Sequence, residues 1–178
     1  MTDTAGAPSQ PSAAIPADDP NRKLTVADPD SSEVRHVAVV GDTYSILVSG
    51  AQTGGRYCLI DMIVPNGSGP PPHRHDFEEM FTLLEGELEF TFRGETTTVL
   101  AGSSMNIPAN APHVFKNVSG STVYMCTPAG QEEFFTLVGD PLESRTSSPP
   151  KLDKMALEER MKKAKALAPK YRTELLAP

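Results

Sequence analysis

Cysteine, positive charge and long apolar runs are what this sequence has little of, and each shortage excludes something. The two cysteines, Cys58 and Cys126, stand far from any Cys-x-x-Cys spacing, so they read as buried thiols rather than a disulfide or a redox pair. Sixteen Lys and Arg face 23 Asp and Glu, leaving a formal charge of −7. A nucleic acid needs its phosphates met by clustered cations, so it is not the expected partner. The basic run Lys162, Lys163, Lys165 lies in a helical stretch that also carries Glu, and reads as a solvated face. No apolar run approaches the roughly 18–20 residues that span a bilayer. The first twenty residues carry neither a basic segment nor an apolar core, so no secretory signal is read and a cytoplasmic protein is expected.

What is present is one domain's worth of ordinary chain: 178 residues, 38% of them hydrophobic. Residues 1–30 are rich in Pro, Ala, Ser and Asp without periodicity, and are expected to form a flexible tail or one draped on the surface. From about 34 to 127 the pattern becomes short runs rich in Val, Ile, Thr, Phe and Tyr, broken by Gly, Pro and Asn. Strands are expected at 34–40, 43–49, 56–64, 79–84, 86–92, 95–100, 104–107, 112–117 and 122–127. Leu88, Phe90 and Phe92 alternate with Glu87, Glu89 and Thr91 as a half-buried strand should, and Arg93-Gly94 turns the chain back into 95–100. Many short strands at this spacing indicate an all-β sandwich or barrel.

After Gly130 the period changes. Gln131–Val138 has Glu132 and Glu133 in its first turn and Gly139 just past its end, a helix with a left-handed glycine cap. A linker through Pro149-Pro150 leads to a second helix over about 152–168, with Glu158/Lys162 and Glu159/Lys163 at i,i+4 spacing and Pro169 as its stop. The division expected is a tail over 1–30, a barrel with a short closing helix over 31–140, and a linker and helix over 141–178.

Three of the four histidines fall in two spaced groups. The first is Gly67-x5-His73-Arg74-His75-x3-Glu79-x6-Gly86. Side chains two apart in extended chain share a face, so His73 and His75 point the same way, and Glu79 joins them if the strand continues. The second is Gly102-x5-Pro108-x-Asn110-x2-His113-x3-Asn117, from which a hairpin could bring His113 in on a facing strand. Imidazole and carboxylate in this grouping suit one divalent transition metal among Fe, Mn, Ni, Cu, Co and Zn. Glu79 can be a ligand, a base, or both in turn. Glu78 should face away, and His36 belongs to no group and reads as structural.

These two groups resemble the motif pair of the cupin superfamily, G-x5-HxH-x3/4-E-x6-G and G-x5-P-x-G-x2-H-x3-N. Asn110 stands where the second motif has Gly, and Asn is the next most tolerant residue of a left-handed backbone. The resemblance implies a cupin-type double-stranded β-helix, a jelly-roll barrel, with His73, His75, Glu79 and His113 around a metal inside it. Phe81 and Phe115, two residues past ligand positions, together with Leu83, Leu88 and Phe90, read either as substrate-pocket walls or as barrel core.

The single motif pair, followed by a Pro-x-Gly turn and Glu132-Glu133-Phe134-Phe135, resembles the quercetin 2,3-dioxygenase-like group. This implies a metal-dependent dioxygenase acting on a small enolic or phenolic, flavonol-like substrate. Two other classes stay open: a redox-neutral lyase, isomerase or cyclase, and a non-catalytic small-molecule-binding cupin. The dimethylsulfoniopropionate lyases place Tyr residues around the first motif, where the nearby positions here are Phe77 and Phe81, and oxalate decarboxylases carry the motif pair twice, where this chain carries it once. Sheet edges and one outer face suggest a homodimer.

Overall fold

A computed structural model describes residues 14–177, so the tail expected over 1–30 lies outside the described residues as far as 13. The strands in chain order are β1 (Arg35–Val39), β2 (Asp42–Val48), β3 (Cys58–Val64), β4 (His73–His75), β5 (Glu79–Glu85), β6 (Glu87–Phe92), β7 (Glu95–Leu100), β8 (Ser104–Ile107), β9 (His113–Asn117), β10 (Ser121–Thr127), β11 (Asp140–Leu142) and β12 (Thr173–Leu175). They form two antiparallel sheets. One runs β11-β1-β2-β3-β10-β5-β8 and the other β12-β4-β9-β6-β7.

Alternation decides which residues fill the space between the sheets. Cys58, Ile60, Met62 and Val64 of β3 point inward with Val123 and Met125 of β10, Phe81 and Leu83 of β5, Leu88 and Phe90 of β6, and Phe115 of β9. Each such fully buried side chain contributes roughly 1.5–3 kcal/mol of hydrophobic stabilisation. On the opposite face of β3, Asp61 is fully buried because Arg145 covers it: Nε donates to Oδ2 at 2.6 Å and Nη2 to Oδ1 at 3.2 Å. His36 is buried on β1 and bonds Ser45 Oγ through Nδ1 at 2.8 Å, away from the metal-ligating residues.

The β1–β2 and β6–β7 hairpins close through Val40-Gly41 and Arg93-Gly94, all four with positive φ, the turn form that matches the right-handed strand twist. Gly86, between β5 and β6, cannot be another residue without movement: φ is +85°, and a Cβ would lie 2.2 Å from Gly120 O.

Helix α1 is one turn, Gly50–Thr53, closed by a Ser49/Gln52 capping box. Helix α2 is Gln131–Val138, as the pattern predicts, but its terminal Gly139 is extended (φ −91°, ψ 175°) rather than left-handed. Glycine is needed there for space, since a Cβ would meet Ala38 O at 2.7 Å. Glu132 bonds two backbone amides, Gly50 N at 2.6 Å and Gly130 N at 2.7 Å, which ties α2 to α1.

Helix α3, Lys154–Leu167, is capped by Asp153, whose side chain accepts from Ala156 N. Its internal ion pair is Lys154–Glu158 at 3.9 Å, not the 158/162 and 159/163 pairs suggested by spacing. A short 3-10 turn, Ala168–Tyr171, leads into β12. Phe134 and Val138 of α2, with Ala168 and Tyr171, make a second apolar cluster over one mouth of the barrel. Among the described residues, no helix is long and apolar enough to cross a membrane.

Candidate metal centre

The residues of the first motif are not on one continuous strand. His73 and His75 lie on β4. The chain then crosses through Asp76-Phe77-Glu78 into the other sheet, where Glu79 opens β5. His113 opens β9, which pairs beside β4 with His73 opposite His113. The three imidazoles therefore come from one sheet, and Glu79, rather than His113, faces them from the other. Their four ligand atoms all lie within 4.8 Å of one another.

The backbone selects the tautomer of each ring. Nδ1 of His73 bonds Pro71 O at 2.9 Å, that of His75 bonds Phe77 O at 2.8 Å, and that of His113 bonds Ala111 O at 2.9 Å. A carbonyl can only accept, so each Nδ1 carries the proton and donates, and the Nε2 lone pair of a neutral ring turns to the centre. His113 Nε2 is buried without a hydrogen-bond partner. His75 Nε2 is 3.2 Å from Glu79 Oε2, and His113 Nε2 is 3.8 Å from the same oxygen.

Electrostatics point the same way. Burial, then the neighbouring His73, lowers the His113 pKa to about 4, and burial also lowers that of His73. Burial opposes ionisation of Glu79, but the His75 hydrogen bond and the three imidazoles outweigh it and hold the carboxyl below its usual range. For His75, burial is outweighed by the Glu79 hydrogen bond and charge, and its pKa rises. Three ring nitrogens and a carboxylate converging in a buried space repel one another unless a cation lies among them, so the donor set fits a divalent transition metal.

The second motif builds the supports. Asn110, at φ +68°, adopts the left-handed conformation its substitution for glycine requires, and its N–H donates to His75 O at 2.6 Å. Asn117 is fully buried. Its Nδ2 donates to Val64 O, and its Oδ1 accepts from the N–H groups of Ser119 and Gly120 at 3.1 Å. Glu78 turns outward to bond Asn106 at 2.7 Å.

The centre opens onto a cavity of about 110 Å³. Phe77, Phe134, Phe135, Val138, Met161 and Leu175 supply much of its apolar lining, with Asp42 and Tyr44 as polar groups on the β2 side. Phe77 stacks on His75 at 4.1 Å between centroids, nearly parallel. None of Phe81, Phe115, Leu83, Leu88 and Phe90 lines this cavity; all five pack in the barrel core. The walls come instead from α2, α3 and β12, which close over the mouth of the barrel and which the motif-based reading did not connect to the site. Asp42 had a signal in the sequence, an acid in phase with Tyr44 and Ile46 on a strand pattern.

A barrel of this topology around a three-histidine, one-glutamate cluster is the arrangement that the two sequence motifs imply. Residues 60–127 match the family model described as Cupin domain, and this region of the chain is a cupin domain. The chain is 28% identical over 127 residues to quercetin 2,3-dioxygenase of Bacillus subtilis (strain 168), a match over 70% of this chain. It spans only 37% of that relative's length. Among solved structures, the polyketide cyclase RemF from Streptomyces resistomycificus aligns with TM-score 0.52 and 20% identity, over 78% of this chain and 94% of that one. A predicted oxalate decarboxylase from Thermotoga maritima aligns with TM-score 0.52 and 19% identity, over 58% and 98%. At these identities the two structures establish the fold alone.

Proposed function

We propose that this cupin is a metal-dependent dioxygenase acting on a small enolic or phenolic, flavonol-like substrate. The observation that carries the proposal is the His73, His75, Glu79, His113 cluster at the end of an aromatic-lined cavity. The similarity to the Bacillus quercetin 2,3-dioxygenase supports the choice of reaction.

A divalent transition metal held by the four residues would supply Lewis acidity and, if redox-active, a place for dioxygen to react. Glu79, kept ionised by the imidazoles around it, takes the proton of the substrate's hydroxyl. Phe134 and Phe135 from α2 give a planar ring apolar surfaces to lie against, while Phe77, held between His75 and the Arg172 guanidinium, backs the imidazole and lines the wall with its edge. Together with Leu175 and Met161 they exclude water, which strengthens every polar interaction inside. The Nδ1–H donations to Pro71, Phe77 and Ala111 keep the rings from turning.

Oxygen uptake by metal-reconstituted protein over a panel of flavonols and catechols tests the reading. Glu79→Gln should keep part of its metal on three imidazoles and lose turnover by about 10²–10⁴. Product without oxygen uptake would replace the dioxygenase by a redox-neutral lyase, isomerase or cyclase. Full activity of Glu79→Gln at normal metal content would remove Glu79 as the base.

A further inference from the structure

We propose that Asp42 and Tyr44 form a second recognition point in the cavity, with Asp42 Oδ2 accepting a hydrogen bond from a ligand hydroxyl remote from the metal-binding oxygens. The inference rests on the phenolic or enolic ligand proposed above. It begins with β2. Tyr44 stands opposite Met62 and Val37, both core residues, so the face of this strand that carries 42 and 44 is the one turned into the barrel. A carboxyl on that face is costly, because burial penalises its charge. Asp42 is nevertheless 3% exposed and lies in the wall of the same cavity as His73, His75 and Glu79.

The other polar side chains of this wall are already engaged. Gln131 Nε2 donates to Tyr171 O at 2.8 Å, and Thr173 Oγ1 donates to the same carbonyl at 3.3 Å. Arg160 is paired with Asp140. Asp42 is different: Ser68 Oγ donates to Oδ1, and among the described residues Oδ2 has no hydrogen-bond partner. The Tyr44 hydroxyl also has none, while its ring is fixed edge-on against Phe135 at 4.9 Å. Tyr44 feels the charges of both Asp42 and Glu79, and burial followed by those charges keeps the phenol neutral. One carboxyl oxygen held from behind by Ser68, the other without a partner, and a phenol two residues along the same strand face make a site for a donor hydroxyl. A second anionic group on the ligand would meet Asp42 with Arg160 already neutralised, so a neutral polyhydroxylated ring fits and a dicarboxylate does not.

Asp42 also ties β2 to the Pro-rich loop before His73 through Ser68, and the two roles separate experimentally. The probes are quercetin and 3-hydroxyflavone, which share the chelating hydroxyl-ketone pair and differ in remote hydroxyls. Both are titrated against zinc-loaded protein, in which zinc does no redox chemistry. At pH 8, where the Asp42 carboxyl is ionised, wild type should bind quercetin about tenfold or more tightly than 3-hydroxyflavone, the value of one hydrogen bond to a charged group. Asp42→Ala should lose most of that advantage with little change for 3-hydroxyflavone, and Ser68→Ala, which cuts the loop tie alone, should keep it. If Asp42→Ala does not fold, Asp42→Asn retains the Ser68 bond, presents an amide in place of the carboxylate, and should reduce the advantage several-fold. Equal affinity of wild type for both probes, equal weakening of both by Asp42→Ala, or the same loss in Ser68→Ala would overturn the inference while leaving the flavonol reading intact. Binding of neither probe to the metal-loaded protein would overturn that reading, and this inference with it.

Discussion

Replacing Asp42 by Asn should change the pH dependence of stability, because the folded protein holds a proton there that the unfolded chain has already lost. Burial moves this carboxyl from its ordinary 3.8 up to about 7, against the smaller opposing effect of the Ser68 hydrogen bond. Between those values the native state binds the extra proton, so the stabilising contribution is complete below 3.8 and is lost as pH rises to about 7. At 1.36 kcal/mol per pH unit the full interval corresponds to about 4 kcal/mol at the limit. The His113 imidazole acts in the opposite sense: its pKa, lowered from 6.5 to about 4, makes its contribution complete above 6.5 and lost as pH falls toward 4. The wild-type curve therefore mixes opposed terms from these and the other shifted groups of the centre, and only the difference between wild type and Asp42→Asn isolates the carboxyl. That difference should be small near pH 4 and favour the variant by about 2–4 kcal/mol near pH 8, roughly 4–16 °C in melting temperature. Urea unfolding at pH 4, 6 and 8, on metal-stripped and zinc-loaded protein, measures it. Parallel stability curves for the two proteins would refute the argument and place the Asp42 carboxyl in contact with water.

The other predictions concern the ligands and their supports. The His73→Ala/His75→Ala double variant should lose stoichiometric metal, measured by elemental analysis of purified protein, while His36→Ala keeps it, because His36 bonds Ser45 and is not one of the converging donors. Leu176→Pro removes the N–H that donates to Pro72 O at 2.8 Å and should speed metal release to a chelator several-fold; an unchanged rate would mean that the C-terminal strand does not steady the ligand strand. Arg145→Ala strands the fully buried Asp61 carboxylate and should cost about 3–5 kcal/mol in urea unfolding, whereas a loss under 1 kcal/mol would show that water reaches Asp61.

The parts of this molecule that were legible in its sequence are those governed by local chemistry. The period-two alternation of 86–92 and the Arg93-Gly94 turn became β6, its hairpin and β7, and the acids at 132–133 mark the start of α2. Asn110 is left-handed, as its place in the second motif requires. The four donor positions were legible because motif spacing constrains which residues can meet, yet their arrangement was not. An even spacing from His75 to Glu79 suggests one face of one strand, while the chain leaves β4 after His75 and changes sheets before Glu79. Phe81 and Phe115 share their strands with ligands, but the next inward position along each strand is deeper in the core, not nearer the mouth.

The least legible element has the most direct hold on the centre. Strand β4 is three residues long and meets β9 only at the His73–His113 pair. Most of its ladder comes from β12, with Thr173 opposite His75 and Leu175 opposite His73. Asp76 N donates to Arg172 O at 3.3 Å, and side-chain pairs Arg172–Asp76 and Arg74–Glu174 flank the same edge. A three-residue edge strand has too few positions to show a period, and its partner lies about a hundred residues earlier, so no window of sequence contains the evidence for it. The ion pairs are exposed and individually worth little, under about 1 kcal/mol. The backbone bonds are therefore what orient β4. The fold thus uses the end of the chain twice: β12 secures the strand that carries two of the three imidazoles, and Leu175 and Met161 wall the space into which those imidazoles point. A change in this segment would therefore reach metal retention and ligand fit together, although none of its residues is a ligand.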